Sequence, residues 1–197
     1  ELRSQIEKID RVVRAFNIPV LQLEGYEADD IIGTVSPQAE AAGVDVRIIS
    51  GDRDLLQLLT PHVFVQLPSR GGPDRIWDVE QFVTEWGIQP AQLVDLKALM
   101  GDASDNIPGV KGIGEKTATS LLQKYTTLEA TYEAVERGEI PGANGRKLAD
   151  GREMAFISQT LARIQKDVPI TLDLPACAAH DYDANAVLAV FEELNFR

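Results

Sequence analysis

The sequence has little of what several common site types require. Its 197 residues include one cysteine, two histidines and no hydrophobic run long enough to cross a membrane. Because Cys177 has no partner for an internal disulfide, we expect a reducing compartment and a cytoplasmic protein with no membrane partner. His62 and His180 lie near no group of acidic residues, so a site built on imidazole is not indicated.

Positive charge is also scarce. Nineteen lysines and arginines face 31 aspartates and glutamates, which gives a net charge of −12. Such a balance is unusual for a nucleic-acid-binding protein, and it fits either an ordinary acidic soluble protein or a protein whose acids hold metal ions. Residues 106–125 are an exception, since they contain three lysines and one acid and are locally positive.

Seven acids fall into three short clusters. The clusters are Glu27, Asp29 and Asp30; Asp52 and Asp54; and Asp102 and Asp105. If like charges converge they repel each other unless cations bind, and Mg²⁺ or Mn²⁺ prefers oxygen ligands of this kind. Two such ions could flank a phosphodiester and stabilise both the attacking water and the leaving oxygen. The alternative is that each cluster is only a helix cap with first-turn acids.

Hydrophobic periodicity predicts an α/β region up to about residue 89 and an all-helical region over 90–197. The first region should hold helices over 2–16, 27–42 and 52–59 and strands over 18–23, 44–50, 63–66 and 75–77. The remaining helices are expected over 79–86, 90–100, 115–124, 128–136, 145–165 and 183–194. Alternating strands and helices favour a parallel sheet, which would place the first two acidic clusters at the carboxyl ends of neighbouring strands.

A glycine-rich segment follows the third cluster directly. Residues 108–116 read Pro-Gly-Val-Lys-Gly-Ile-Gly-Glu-Lys, which predicts a tight turn opening a helix. Glycines let a backbone approach a ligand closely, and amides at a helix start can bind phosphate. Lys111 and Lys116 add positive charge. A plain helical corner is the alternative, and a nucleotide loop is disfavoured because Glu115 stands where its lysine would be.

Three segments resemble one known family, the 5′ nuclease domain of bacterial DNA polymerase I. They are Gly-Tyr-Glu-Ala-Asp-Asp at 25–30, Ser-Gly-Asp-Arg-Asp-Leu at 50–55 and Gly-Asp-Ala-Ser-Asp-Asn-Ile-Pro-Gly-Val-Lys-Gly-Ile-Gly-Glu-Lys-Thr-Ala at 101–118. The resemblance implies a PIN- or resolvase-like α/β fold with a partial parallel sheet, followed by a helical subdomain. That subdomain would contain a helix-hairpin-helix over about 106–136.

The resemblance also implies an activity, a metal-dependent 5′-3′ exonuclease and flap endonuclease. All seven clustered acids would be metal ligands for two Mg²⁺ or Mn²⁺ ions, with Asp29, Asp52 and Asp102 catalytic. Duplex backbone would be bound by Gly109, Lys111, Gly112, Gly114 and Lys116, with K⁺ held at the hairpin. The implied partners are DNA with a 5′ flap, nick or branch, RNA–DNA primer hybrids and a linked polymerase domain.

Compared with that family, we expect an N-terminal portion to be missing, including strands at the centre of the sheet and a basic helical arch. Two rival functions therefore stay open. One is a non-catalytic module that binds DNA structures and lacks part of the metal site. The other is a different Mg²⁺-dependent α/β phosphotransfer or receiver-like protein, against which the glycine hairpin argues.

Overall fold

The computed structural model describes residues 2–69, 71–178 and 181–196, with side chains of the first helix described from residue 5 onward. Its α/β region consists of α1 (Leu2–Ala15), α2 (Ala28–Ala41), β1 (Val46–Ile49), a 3₁₀ helix (Asp54–Leu58), β2 (Val63–Leu67), β3 (Arg75–Trp77) and α3 (Val79–Trp86). His180 lies outside the described residues. No helix in those three ranges has the length and apolar character to cross a membrane.

The sheet has three strands in the order β1-β2-β3. β1 pairs with β2 in parallel, and β2 pairs with β3 antiparallel. The expected parallel sheet is therefore a mixed one, because the short connection after β2 returns the chain directly beside it. The expectation of a strand over 18–23 was wrong, since this segment is irregular. Ile18 is 54% exposed and Leu21 39% exposed, and no described strand pairs with them.

Helices make up the rest of the described chain. They are α4 (Leu93–Met100), preceded by a 3₁₀ turn at Pro90–Gln92, then α5 (Glu115–Tyr125), α6 (Leu128–Glu136), α7 (Gly142–Asp150), α8 (Arg152–Ala162) and α9 (Ala184–Glu193). The single helix expected over 145–165 is two helices that meet at Gly151. A Cβ at Gly151 would lie 2.7 Å from Cγ1 of Val110, so a glycine lets the glycine-rich segment pack against this junction.

The two regions share one hydrophobic core. Leu55, Leu56 and Val65 from the α/β region belong to the same buried cluster as Leu99 and Leu148 from the helices. All five side chains are fully buried. Because α4 packs against α8 as well as against the 3₁₀ helix, it is the central element that joins the halves. The division of the chain at residue 89 stays a prediction.

The segment after α8 runs back along α2. The Val168 amide donates to Oγ1 of Thr34 at 3.2 Å, and the Leu172 amide donates to Oε1 of Gln38 at 2.7 Å. A Cβ at Gly33 would lie 2.6 Å from Cγ2 of Ile164, so the glycine permits this close approach. The returning segment thereby fixes α2, whose first turn carries the first acidic cluster.

Candidate metal centre and hairpin

The first acidic cluster forms the start of α2. Glu27 is the N-cap residue, and its amide donates to Oδ2 of Asp30 at 3.3 Å. The other Asp30 oxygen, Oδ1, accepts from the Gln165 amide at 2.9 Å. Asp30 therefore uses both carboxylate oxygens to hold the local structure, whereas Asp29 lies close enough to Asp52 and Glu27 for their charges to act on it. This cluster was expected to follow a strand, which was wrong, because the preceding segment is irregular.

The second cluster follows β1 in a tight turn, as expected. The Asp54 amide donates to Oδ1 of Asp52 at 2.8 Å, and the Asp52 amide donates to Oγ of Ser50 at 3.1 Å. These bonds turn the chain sharply between β1 and the 3₁₀ helix. Asp54 begins that helix and is partly buried, while Asp52 is exposed.

The third cluster lies in a short loop after α4, which ends at Gly101 as expected. Asp102 and Ile107 exchange two backbone hydrogen bonds of 2.8 Å each, which close the loop. Inside it, Oδ1 of Asp102 accepts from the Ser104 amide at 2.9 Å. The loop therefore presents Asp102 and Asp105 on the same side and leads directly into the glycine-rich segment.

Tertiary structure brings the three clusters together around one cleft of about 380 Å³. Six of the seven acids line it: Glu27, Asp29, Asp30, Asp52, Asp54 and Asp105. Asp102 lines the adjoining cavity of about 510 Å³, together with Asp52, Asp54 and Asp105. Among the described residues, three aspartates each contribute one carboxylate oxygen to a group in which all three oxygens lie within 4.8 Å of one another: Asp54, Asp102 and Asp105. This donor set, all carboxylate oxygen, fits a hard divalent cation.

The pKa values reflect this crowding. Partial burial raises the pKa of the Asp29 carboxyl, and the Asp52 and Glu27 carboxylates raise it further. Burial also raises the pKa of Asp54, despite its contact with a lysine. For Asp102, hydrogen bonds from Lys97 and Ser104 lower the pKa to about 2. The clustered carboxylates thus repel each other around Asp29, whereas around Asp102 the Lys97 ammonium compensates their charge.

Lys97 lies among the clustered acids, although no motif in the sequence indicated it. It lies on α4, is 6% exposed and forms ion pairs with Asp54, Asp102 and Asp105. Burial opposes its charge, but hydrogen bonds to Asp102 and Asp54 outweigh that effect and raise the pKa of Lys97. A lysine inside the mostly apolar stretch before the third cluster, Leu96 to Met100, was the signal available in the sequence.

The glycine-rich segment connects α4 to α5, which begins at Glu115 with Gly114 as its N-cap. Gly109 and Gly112 have φ values of +61° and +82°, which favour glycine. Lys111, Gly112, Gly114 and Lys116 are exposed, as a backbone-binding hairpin requires. Gly109 differs, because it is buried and its amide donates to Oγ of Ser158 at 3.0 Å.

Two family descriptions match the chain in sequence order. Residues 1–87 match "5'-3' exonuclease, N-terminal resolvase-like domain", and residues 88–185 match "5'-3' exonuclease, C-terminal SAM fold". The chain belongs to the 5′-3′ exonuclease family. The resemblance inferred from the three motifs is thus confirmed, as is the fold class of a resolvase-like α/β region followed by a helical subdomain.

The chain is similar to part of DNA polymerase I from several bacteria. The enzyme of Bacillus caldotenax is 46% identical over 203 residues and that of Chloroflexus aurantiacus 46% over 200 residues. Both alignments cover all of this chain, which spans only 22% and 21% of those relatives. The chain therefore corresponds to about a fifth of their length.

Solved structures agree with the fold. T5 5′-exonuclease with bound zinc has a TM-score of 0.63 at 24% identity, covering 90% of this chain and 62% of that one. The catalytic core of Rad2 in complex with DNA substrate has a TM-score of 0.66 at 16% identity, covering 96% and 64%. At these identities the likeness concerns the arrangement of the elements.

Proposed function

We propose that this chain contributes the metal-dependent 5′-3′ exonuclease and flap endonuclease activity of a DNA polymerase I. The observation that carries the proposal is the convergence of six family-motif acids on one cleft, joined by a loop of a few residues to an exposed glycine hairpin. Divalent metal in T5 5′-exonuclease and DNA in the Rad2 complex support the same chemistry. The cytoplasmic location stays a prediction.

The cleft residues fit divalent ions, and we assign the ligands to all three clusters, with two Mg²⁺ or Mn²⁺ ions. Bound ions would supply positive charge for the attacking water and the leaving oxygen of a phosphodiester. We assign the catalytic role to one aspartate from each cluster: Asp29, Asp52 and Asp102. Asp30 orients the first turn of α2 through its bonds to Glu27 and Gln165.

The hairpin binds duplex backbone in this proposal. The start of α5 is exposed and has no side-chain cap, and Lys111 and Lys116, which flank it in sequence, are exposed and add positive charge. Such contacts position nucleic acid without reading its sequence, which suits substrates defined by shape: 5′ flaps, nicks, branches and RNA–DNA primer hybrids. The Gly112 carbonyl accepts from Nζ of Lys147 at 2.9 Å, so K⁺ proposed at this hairpin would share or replace an existing cation.

Cleavage of a labelled 5′-flap duplex tests the proposal, with Mg²⁺ in one arm and EDTA in the other. The assay uses this chain and, separately, a form extended at its N-terminus. We expect Mg²⁺-dependent cleavage that Asp102→Asn abolishes, while flap-DNA affinity changes only severalfold. Retained cleavage by Asp102→Asn, or cleavage in EDTA, would contradict the mechanism. Flap binding without cleavage in both forms would favour the non-catalytic module.

A further inference from the structure

One cation is already present among the clustered acids. The Lys97 ammonium nitrogen lies 2.7 Å from Oδ2 of Asp102 and 3.1 Å from Oδ2 of Asp105, and it also contacts Oδ1 of Asp54. Its side chain is only 7% exposed. Asp54 at the start of the 3₁₀ helix and two aspartates of the loop after α4 thus share one buried ammonium, and tertiary structure brings these two segments together.

The ammonium lies where a divalent ion would bind. Asp54, Asp102 and Asp105 are the same three residues whose ligand oxygens lie within 4.8 Å of one another. A Mg²⁺ ion shared by these oxygens would need contacts of about 2.0–2.1 Å, and an ammonium cannot remain among them at that position. Lys97 and a divalent ion therefore compete for this corner, which we name the Asp102 corner (Asp54, Asp102 and Asp105).

The acids nearer to Asp29 have no such salt-bridged cation in the part of the chain that the structure describes. Within residues 2–69, 71–178 and 181–196, no salt bridge involves Glu27, Asp29 or Asp52. Repulsion by Asp52 and Glu27 acts on the partly buried Asp29 carboxyl. We name this side the Asp29 corner (Glu27, Asp29 and Asp52). Arg163 lines the same cleft but forms no salt bridge with these three acids among the described residues, so an ion entering this corner is attracted by them without displacing a paired protein group.

Displacement of Lys97 is sterically feasible. The adjoining cavity of about 510 Å³ is lined by Lys97 itself, Trp86, Leu93 and Met100. A lysine has a flexible four-carbon stem that can lie along apolar surface while its ammonium turns elsewhere. An ion that takes the Asp102 corner can therefore move the ammonium sideways without unfolding α4.

We propose that Lys97 is a built-in cation that makes the two corners unequal. The Asp29 corner takes the first divalent ion, and the Asp102 corner takes a second ion only by displacing the Lys97 ammonium. Lys97 is thus a positioning residue, which holds the Asp102 corner together before metal binds and lowers the affinity for the second ion. This inference rests on the proposed metal dependence and adds an order of binding to it.

Calorimetric titration of Mg²⁺ and Mn²⁺ without DNA tests the inference on the full chain. In wild type we expect one tighter and one weaker ion. Lys97→Met keeps the apolar stem and removes the charge, so the weaker ion should bind at least roughly tenfold tighter, the factor that corresponds to about 1.4 kcal/mol of removed competition. Lys8→Met, an exposed lysine on α1, carries the same charge change and should leave the weaker ion unaffected.

Thermal unfolding provides a second readout. Without metal, Lys97→Met should melt below wild type, because three carboxylates lose their shared cation, and added Mg²⁺ should close most of that gap. Equal second-ion affinity in wild type and Lys97→Met would overturn the inference and leave the proposed nuclease intact. Absence of metal binding by both proteins at millimolar concentration would overturn the metal dependence itself, and the inference with it.

A wild-type measurement covers the case in which Lys97→Met does not fold. The Cε–H NMR resonance of Lys97, assigned by its loss in Lys97→Arg, can be followed while Mg²⁺ is added. We expect it to stay nearly constant while the first ion binds and to shift as the second ion binds. A resonance that does not move during binding of either ion would show that the ammonium is not displaced, which contradicts the proposal.

Discussion

The backbone amide of Gln165 donates a 2.9 Å hydrogen bond to Oδ1 of Asp30, a residue 135 positions earlier in the chain. This bond joins the segment after α8 to the first turn of α2. Because Oδ2 of Asp30 accepts from the Glu27 amide, the carboxylate links two parts of the chain and orients the adjacent Asp29. Asp29 and Asp30 are neighbours in one motif with different structural roles.

Substituting these neighbours should therefore have different effects on stability. In Asp30→Asn an NH2 group replaces one of the two accepting oxygens, so one of the two backbone amides loses its acceptor. The free energy of unfolding should fall by roughly 1 kcal/mol, as it does on loss of a helix cap. That corresponds to a melting temperature lower by about 2–4 °C in a chain of this size. Asp29→Asn removes the same single negative charge, but this charge is repelled by Asp52 and Glu27. The free energy of unfolding in EDTA should therefore stay equal to that of wild type or rise. Thermal unfolding in EDTA compares them, and equal losses would contradict this division.

Two glycines of the hairpin segment should separate folding from DNA binding. A Cβ at Gly109 would lie 2.2 Å from the Gly101 nitrogen, and its φ is +61°. Gly109→Ala should therefore destabilise the chain by about 1–3 kcal/mol or more. Gly114 has a φ of −101° and open space around its Cα, so Gly114→Ala should stay within about 0.5 kcal/mol.

Urea unfolding measures both glycine variants, and duplex affinity is then measured on Gly114→Ala. If Gly114 lies against phosphate, its added methyl should weaken binding without changing the urea midpoint. The prediction is contradicted if Gly114→Ala is destabilised, or if Gly109→Ala is as stable as wild type, because the two sites would then not differ in the space they leave for a side chain.

Salt dependence tests the hairpin as a phosphate-binding element. Lys111→Ala with Lys116→Ala should weaken binding to flap DNA of any sequence. The slope of log affinity against log salt should become shallower by up to about 2, roughly one per lost phosphate contact. Lys8→Ala with Arg14→Ala on α1 removes the same charge and should leave the slope unchanged. If the slope of log affinity against log salt is unaltered in the hairpin variant, the two lysines do not contact phosphate and the segment is only a structural turn.

Asp95 should make stability depend on pH. Its buried carboxylate accepts from Nε2 of Gln159 at 2.7 Å and from the Leu128 amide at 3.1 Å. Burial outweighs these bonds and raises the pKa of Asp95 above its ordinary value of 3.8. Between 3.8 and that raised pKa, the folded state binds more protons than the unfolded state, so stability falls as pH rises through this window.

Comparison of wild type with Asp95→Asn isolates this contribution. As pH rises above 3.8, the unfolding free energy of wild type should fall relative to that of Asp95→Asn. The difference should become constant above the pKa that Asp95 has in the folded protein. Chemical denaturation at a series of pH values from acid to neutral measures the difference. A difference independent of pH would mean that Asp95 titrates alike in both states.

Local patterns predicted the helices well, because capping and periodicity depend on neighbouring residues. The helix expected over 79–86 has those bounds in the structure, as does the one over 128–136. The apolar run over 18–23 failed, since a strand needs a pairing partner and apolar residues alone do not supply one. The helix expected over 145–165 failed because Gly151 interrupts it, where contact with Val110 favours a residue without a side chain.

The sequence alone determined the family, the seven acids and the glycine hairpin, since motif spacing and residue chemistry are properties of the chain. Only the tertiary structure decided how those acids differ. It engaged both oxygens of Asp30 in backbone hydrogen bonds and placed Asp29 among carboxylates that repel it. It also placed Lys97 among Asp54, Asp102 and Asp105. The physical reason is that charge compensation depends on distances of a few ångströms between distant segments, which packing sets and spacing along the chain does not.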